Sequence, residues 1–203
     1  MSIRSLLTVA LALLPIGCTS ASFEVIRSVD PSPYSKASAF AIQPIRYVDL
    51  KVDDKPEADF IASRKSGEEA DKWGVIKANI QDRFSKKLSA ELAIAGVAGA
   101  AGATVGVAEA AAGAGSAFSI EPSIETIETG YYRIPAWNAV ARIYMTLRIV
   151  GPGGQVVDEI RLMDRKGFDA IAASTANIRL TNVADALAAA VAEHIVERAN
   201  KER

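Results

Sequence analysis

The side chains that could do chemistry in this 203-residue chain are few: one cysteine, Cys18, and one histidine, His194. A histidine-based metal centre or acid–base pair needs more than one such group. His194 stands beside the apolar stripe of the last helical segment, so it reads as a helix-boundary residue that packs and solvates. Asp49, Asp53, Asp54, Glu57 and Asp59 offer the oxygen donors that calcium takes. They lack the ligand spacing and central glycine of a calcium loop, and a solvated acidic loop is expected. No serine occupies a nucleophile elbow, and no glycine cluster follows a strand as in a phosphate-binding loop. No catalytic residue, metal or cofactor is therefore expected. What remains is recognition chemistry. Tyr131, Tyr132, Arg133 and Trp137 crowd the segment Gly130 to Asn138, and these residue types dominate binding hot spots because they join large contact area to hydrogen bonding. They are the candidate partner-binding residues, set against the plainer reading that Tyr132 and Trp137 cap the core.

Cys18 has a different setting. Arg4 leads into an apolar run from Leu6 to Ile16 that ends at Gly17-Cys18, the charged tip, short apolar core and small residue of an export signal. Leu13-Leu14-Pro15-Ile16-Gly17-Cys18 resembles the lipid-attachment sequence of bacterial lipoproteins, with Gly17 and Cys18 in place and Pro15 where the family usually has leucine. The resemblance implies a signal peptide over residues 1–17, lipidation of Cys18 and, with Thr19 rather than aspartate next, delivery to the periplasmic face of the outer membrane. Cleavage after Thr19-Ser20-Ala21 is the competing outcome and would release a soluble periplasmic protein. A lone thiol is a liability in an oxidising compartment, and acylation removes it. Several acyl chains make a stable anchor where one holds marginally.

Without residues 1–17 the chain keeps 22 basic and 24 acidic residues. That balance argues against nucleic acid or a polybasic membrane surface as partner. Residues 18–38, rich in serine and proline, read as the lipidated N-terminus and a tether. Residues 39–203 then form one domain, a length that suits a single core.

Within that domain, Phe40 and Ile42 alternate, Pro44 interrupts, and Val48 and Leu50 resume, as in an edge or bulged strand. Asp53 to Lys65 is expected to be loop. Ser66-Gly67-Glu68-Glu69 has capping-box spacing, and Trp73, Ile76, Ile80, Phe84, Leu88 and Leu92 recur at helical intervals behind it. Residues 93–117 hold twelve alanines and six glycines and read as a connector or as a helix-packing surface through which copies of the chain associate. The uncharged stretch Leu92 to Ala108 also has the minimum length for a membrane span, but its Ala and Gly supply little transfer energy. Ser119 to Tyr132 suggests a strand whose apolar phase shifts between Ile124 and Ile127, the mark of a bulge. Ala141, Ile143, Met145, Leu147 and Ile149 alternate cleanly, Gly151-Pro152-Gly153-Gly154 turns, and Val156, Ile160 and Leu162 return, which is a hairpin. A second helix opens at Thr181 or Asn182, lined by Val183, Leu187, Val191 and Ile195.

The order β-α-β-β-β-α predicts an α+β two-layer sandwich, an antiparallel sheet of about four strands under two main helices. That order and the lipidated start resemble small periplasmic lipoprotein domains of unknown function. The resemblance carries no catalytic residues over, and the leading expectation is a noncatalytic membrane-anchored module that binds a periplasmic or outer-membrane protein, as an assembly or transport accessory. A small-ligand or glycan-binding lipoprotein is the alternative.

Overall fold

A computed structural model describes residues 22–33, 39–64, 67–96, 118–130, 140–166 and 175–200. Its strands are β1 (Ser22–Ser28), β2 (Phe40–Ile42), β3 (Arg46–Val52), β4 (Lys55–Pro56), β5 (Phe118–Glu128), β6 (Ala141–Val150) and β7 (Val156–Lys166). Its helices are α1 (Glu57–Ala62), α2 (Gly67–Ile94) and α3 (Ala176–Asn200).

The class is α+β, but the sheet corrects the expectation of about four antiparallel strands and two helices. Seven strands run in the order β1-β7-β6-β5-β3-β4, with β2 also on β5. The sheet is mixed, because β2 and β3 pair with β5 in parallel while the other pairings are antiparallel. The physical reason is connectivity. The chain leaves β3 and β4, runs through α1, α2 and the segment beyond it, and returns to the sheet, and only such a crossover can bring two neighbouring strands into parallel alignment. The additional strands come from short pieces. β1 forms inside the stretch expected as tether, β4 has two residues, and Pro44 divides β2 from β3 on one side of β5.

Alternation sets the core. In β6 the five apolar residues from Ala141 to Ile149 are at most 1% exposed, while Arg142, Tyr144, Thr146 and Arg148 between them are half-buried on the opposite face. The hairpin forms as expected around Gly151–Gly154, with Gly154 at φ +80, where a side chain is strained. The β5 register shifts between Ile124 and Thr126, the expected bulge. In β7 Ile160 and Leu162 are buried, but Val156 is half-buried and Val157 is enclosed instead, next to a register shift at the start of the strand. In β3 Leu50 is buried while Val48 is 45% exposed, because the strand bulges between Tyr47 and Lys51, with Asp49 at φ 46.

α2 buries Trp73, Ile80, Phe84, Leu88 and Leu92 of the predicted stripe, while Ile76 is half-buried against the core. Ser66 lies outside the described residues, as do the side chains of Glu68 and Glu69, so the capping box does too. α1 forms within the expected loop and inserts Phe60 edge-on against Trp73, with ring centres 5.1 Å apart. α3 begins five residues before Thr181, with the Ile178 N–H donating to Thr175 Oγ1 at 3.3 Å. Thr181 instead donates to the Asn177 carbonyl at 2.9 Å, which satisfies its hydroxyl inside the helix. Alanines 184, 186, 188, 190 and 192 of α3 are buried. Small residues let it lie close to both α2 and the sheet, where a larger side chain at such a site costs about 1–3 kcal/mol through overpacking.

Candidate functional site

Every site residue expected from the sequence lies outside the described residues: Cys18, Tyr131, Tyr132, Arg133 and Trp137. So does residue 97 and the rest of the Ala/Gly-rich segment to 117, with its expected role in association. The structure does describe what anchors the aromatic segment at its N-terminal base. Asp53, in the left-handed region at φ 49, accepts from the Thr129 N–H at 2.7 Å and from Thr129 Oγ1 at 2.7 Å. Arg179, at the start of α3, donates to the carbonyls of Thr129 and Gly130, both at 3.0 Å. Burial lowers the Arg179 guanidinium from its usual range, and the Asp53 charge opposes that shift.

The acidic stretch is dispersed. While Asp53 holds Thr129, Glu57 Oε1 accepts from Trp73 Nε1 at 2.7 Å and pairs with Lys77 Nζ at 2.7 Å. Burial alone would raise the Glu57 carboxyl, but the Lys77 and Trp73 hydrogen bonds and the Lys77 charge outweigh it and hold the group below its ordinary value. Tyr47 donates to the Lys77 carbonyl at 3.3 Å. Burial pushes its phenol well above the usual range, and the Glu57 charge adds to the shift. Among the described residues no group of His, Cys, Asp and Glu is placed to hold a metal ion.

At the far end of α3 lies a polar cluster that was not anticipated. Asp158 is 0% exposed, His194 8% and Arg198 6%. His194 Nε2 stands 3.3 Å from Asp158 Oδ2, and Arg198 Nη2 3.4 Å from Asp158 Oδ1. Arg198 also donates to Asp30 Oδ1 at 2.6 Å and to the Val29 carbonyl. Phe23 of β1 leans on the imidazole, ring centres 5.0 Å apart. His194 is therefore buried and partnered rather than solvated at a helix boundary. A signal for this cluster was present: Asp158 is two residues before Ile160 and so lies on the core-facing side of β7, where a carboxylate needs a partner. The cluster ties the segment after β1 to α3 and β7.

A depression of about 310 Å³ between α2 and α3 is lined by Arg83, Lys86, Lys87 and Asp185. Its cations are matched within the chain: Arg83 to Asp185, Lys86 to Asp82 at 2.9 Å and Lys87 to Glu91 at 2.6 Å. Among the described residues no helix is long and apolar enough to cross a membrane.

No family model and no curated protein matches the chain. Among solved structures, the PelC dodecamer from Paraburkholderia phytofirmans in space group P6 is similar at 12% identity and a TM-score of 0.44, over 84% of this chain and 94% of that one. A single-substitution variant of that dodecamer in space group C2 is similar at 13% identity and 0.44, over 84% and 95%.

Proposed function

We propose that the chain is a lipid-anchored envelope protein whose α+β domain is a noncatalytic module for binding another periplasmic or outer-membrane protein. The observation that carries this reading is the run from Arg4 through the apolar core to Gly17-Cys18, which has the anatomy of a lipoprotein export signal. Thr19 favours the outer membrane as destination. The fold sharpens what an anchor at Cys18 would do. Ser22 opens β1, four Cα steps from Cys18, a reach of at most about 14 Å. Lipid on Cys18 would hold the β1 edge close to the bilayer, with no long tether between. The binding surface is assigned to Tyr131, Tyr132, Arg133 and Trp137, whose segment starts from the base that Asp53 and Arg179 fix.

Fatty-acid labelling of producing cells tests the anchor: the wild-type chain takes up label and sediments with membranes, and Cys18→Ala takes up none. Absence of label from the wild type overturns the reading. For the surface, Trp137→Ala and Tyr131→Ala are expected to keep the thermal midpoint and lose a crosslinked partner. Unfolding by both substitutions assigns these aromatics to the core instead.

A further inference from the structure

β1 ends the sheet on one side among the described residues, and its outer row of N–H and C=O groups faces away from β7. Such an edge is a template for another strand unless something blunts it. The opposite edge is shorter and less regular: β4, its outermost strand, has two residues and follows Asp53 and Asp54, both at positive φ, whereas β1 carries a single bulge. β1 has seven residues, no proline and two charges. Around it lie four of the exposed large apolar side chains, Phe23 at 39%, Val25 at 48%, Ile26 at 45% and Val29 at 39%. Lipid could cover those side chains but cannot bond the open backbone, so a bilayer is a poor occupant. Another strand satisfies both.

The charges select which strand. Glu24 lies opposite Arg161 and Arg27 opposite Glu159, while Phe23 and Val25 lie opposite the buried Leu162 and Ile160. Directly opposed residues share a face, so Glu24 and Arg27 are on the same, solvent-facing side. Three positions apart in a regular strand, they would be on opposite sides. The register shift between Val25 and Arg27 brings them together, with Ile26 as the extra residue. Antiparallel to itself about an axis between Val25 and Ile26, β1 places Glu24 opposite Arg27 twice and Val25 opposite Ile26 twice. The extra residue occurs at the same place in both strands, so they stay in step. We infer that the free edge of β1 pairs with β1 of a second copy of this chain, joining two seven-stranded sheets across a two-fold axis.

The pairing is independent of lipidation, so Cys18→Ser is expected to dimerise as the wild type does. The test uses the full-length chain in mild detergent, with polypeptide mass followed by sedimentation. The wild type is expected to be a dimer. Glu24→Arg and Arg27→Glu each set like charges opposite one another and are expected to weaken dimerisation about thirtyfold, the equivalent of about 1 kcal/mol at each of the two symmetry-related pairs. Mixing the two variants restores both opposite-charge pairs, so the mixture is expected to form a heterodimer near wild-type affinity. A monomeric wild type, variants that dimerise unchanged, or a mixture no tighter than its components overturns the inference. A check without substitutions is hydrogen exchange of wild type, in which amides of residues 22–28 gain protection as concentration rises through the dissociation constant. Protection there that is independent of concentration overturns it equally.

Discussion

Asp158→Asn is expected to cost about 3 kcal/mol of stability and Asp30→Asn less than about 1, although Asp30 is the nearer partner of Arg198. The separations are 2.6 Å for Asp30 and 3.4 Å for Asp158, but the Asp30 side chain is 81% exposed and that of Asp158 0%. Water screens the first pair, whose worth falls in the range of surface ion pairs. For the second, unit charges 3.4 Å apart attract by about 5 kcal/mol at an effective dielectric of about 20. Much of that attraction offsets the desolvation of the two ions, so the intact pair contributes little net stability. Removing one member is different, since the desolvation of the other remains. The usual cost is about 3–5 kcal/mol, and the Val29 carbonyl and the Asp30 carboxylate, both still bonded to Arg198, hold it to the lower end. Arg198→Met should cost a similar amount, and the double variant about 3 kcal/mol rather than 6, a coupling expected of groups in one network. Urea unfolding followed by circular dichroism reads this directly. With a slope of about 2 kcal/mol per molar, the midpoint falls by about 1.5 M for Asp158→Asn and by under 0.5 M for Asp30→Asn. Equal losses for the two aspartates, or a double variant that loses the sum of the singles, would refute the reasoning.

Other perturbations follow the same physics. Tyr47→Phe gives up a hydrogen bond worth about 1 kcal/mol at neutral pH. Because burial raises the Tyr47 phenol, wild-type stability from this group is full below the usual tyrosine value of about 10 and falls as pH rises beyond it, an alkaline loss that Tyr47→Phe should lack in denaturation measured from pH 9 to 11. Glu57→Gln is the converse: its lowered carboxyl stabilises the wild type above the usual value of about 4.3, so the gap between wild type and variant, about 1 kcal/mol at pH 7, should close on acidification. At Asp53, φ 49 disfavours most side chains. Asp53→Ala should cost about 2 kcal/mol by chemical denaturation and Asp53→Gly visibly less, since glycine loses the hydrogen bonds but not the conformation. Equal losses for alanine and glycine would remove backbone strain from that account.

The parts of the fold legible in the sequence are those where periodicity outlasts its exceptions. The α2 stripe spans five turns, and the β6–β7 hairpin has both alternation and a glycine turn, so isolated mismatches such as Val156 do not hide them. The parts that were not legible are short or paired at a distance. Ser22–Ser28 carries the serines of a tether, and nothing local shows that it adds to β7, whose paired residues lie 130 to 141 positions further along the chain. Thr181-Asn182 has the chemistry of a helix cap, yet Thr175 performs it, because a threonine inside a helix can bond backward to the Asn177 carbonyl and leave its own N–H in the ladder. Parallel alignment of β3 with β5 was hidden for a related reason: the crossover runs through residues 93–117, whose composition fixes no regular pattern.

The site was harder to read because its chemistry is positional. Arg179 and Arg198 are nineteen residues apart on α3, about 28 Å along the axis, and in sequence they resemble any pair of helix-surface cations. Both are buried, and both use the length of arginine to reach backbone carbonyls that sheet pairing leaves over: Thr129 and Gly130 beyond β5, and Val29 beyond β1. A lysine could reach but could not fork across two acceptors, so Lys is not a conservative replacement at either position. One alanine-lined helix thereby holds the base of the aromatic segment at one end and the root of the exposed edge strand at the other. If either surface binds, α3 is the rigid element through which its position is set. Arg198→Lys is then expected to weaken β1 pairing without touching the edge itself, seen as a larger dissociation constant in the same sedimentation assay. An unchanged constant in a folded Arg198→Lys chain would mean that β7 alone aligns the edge.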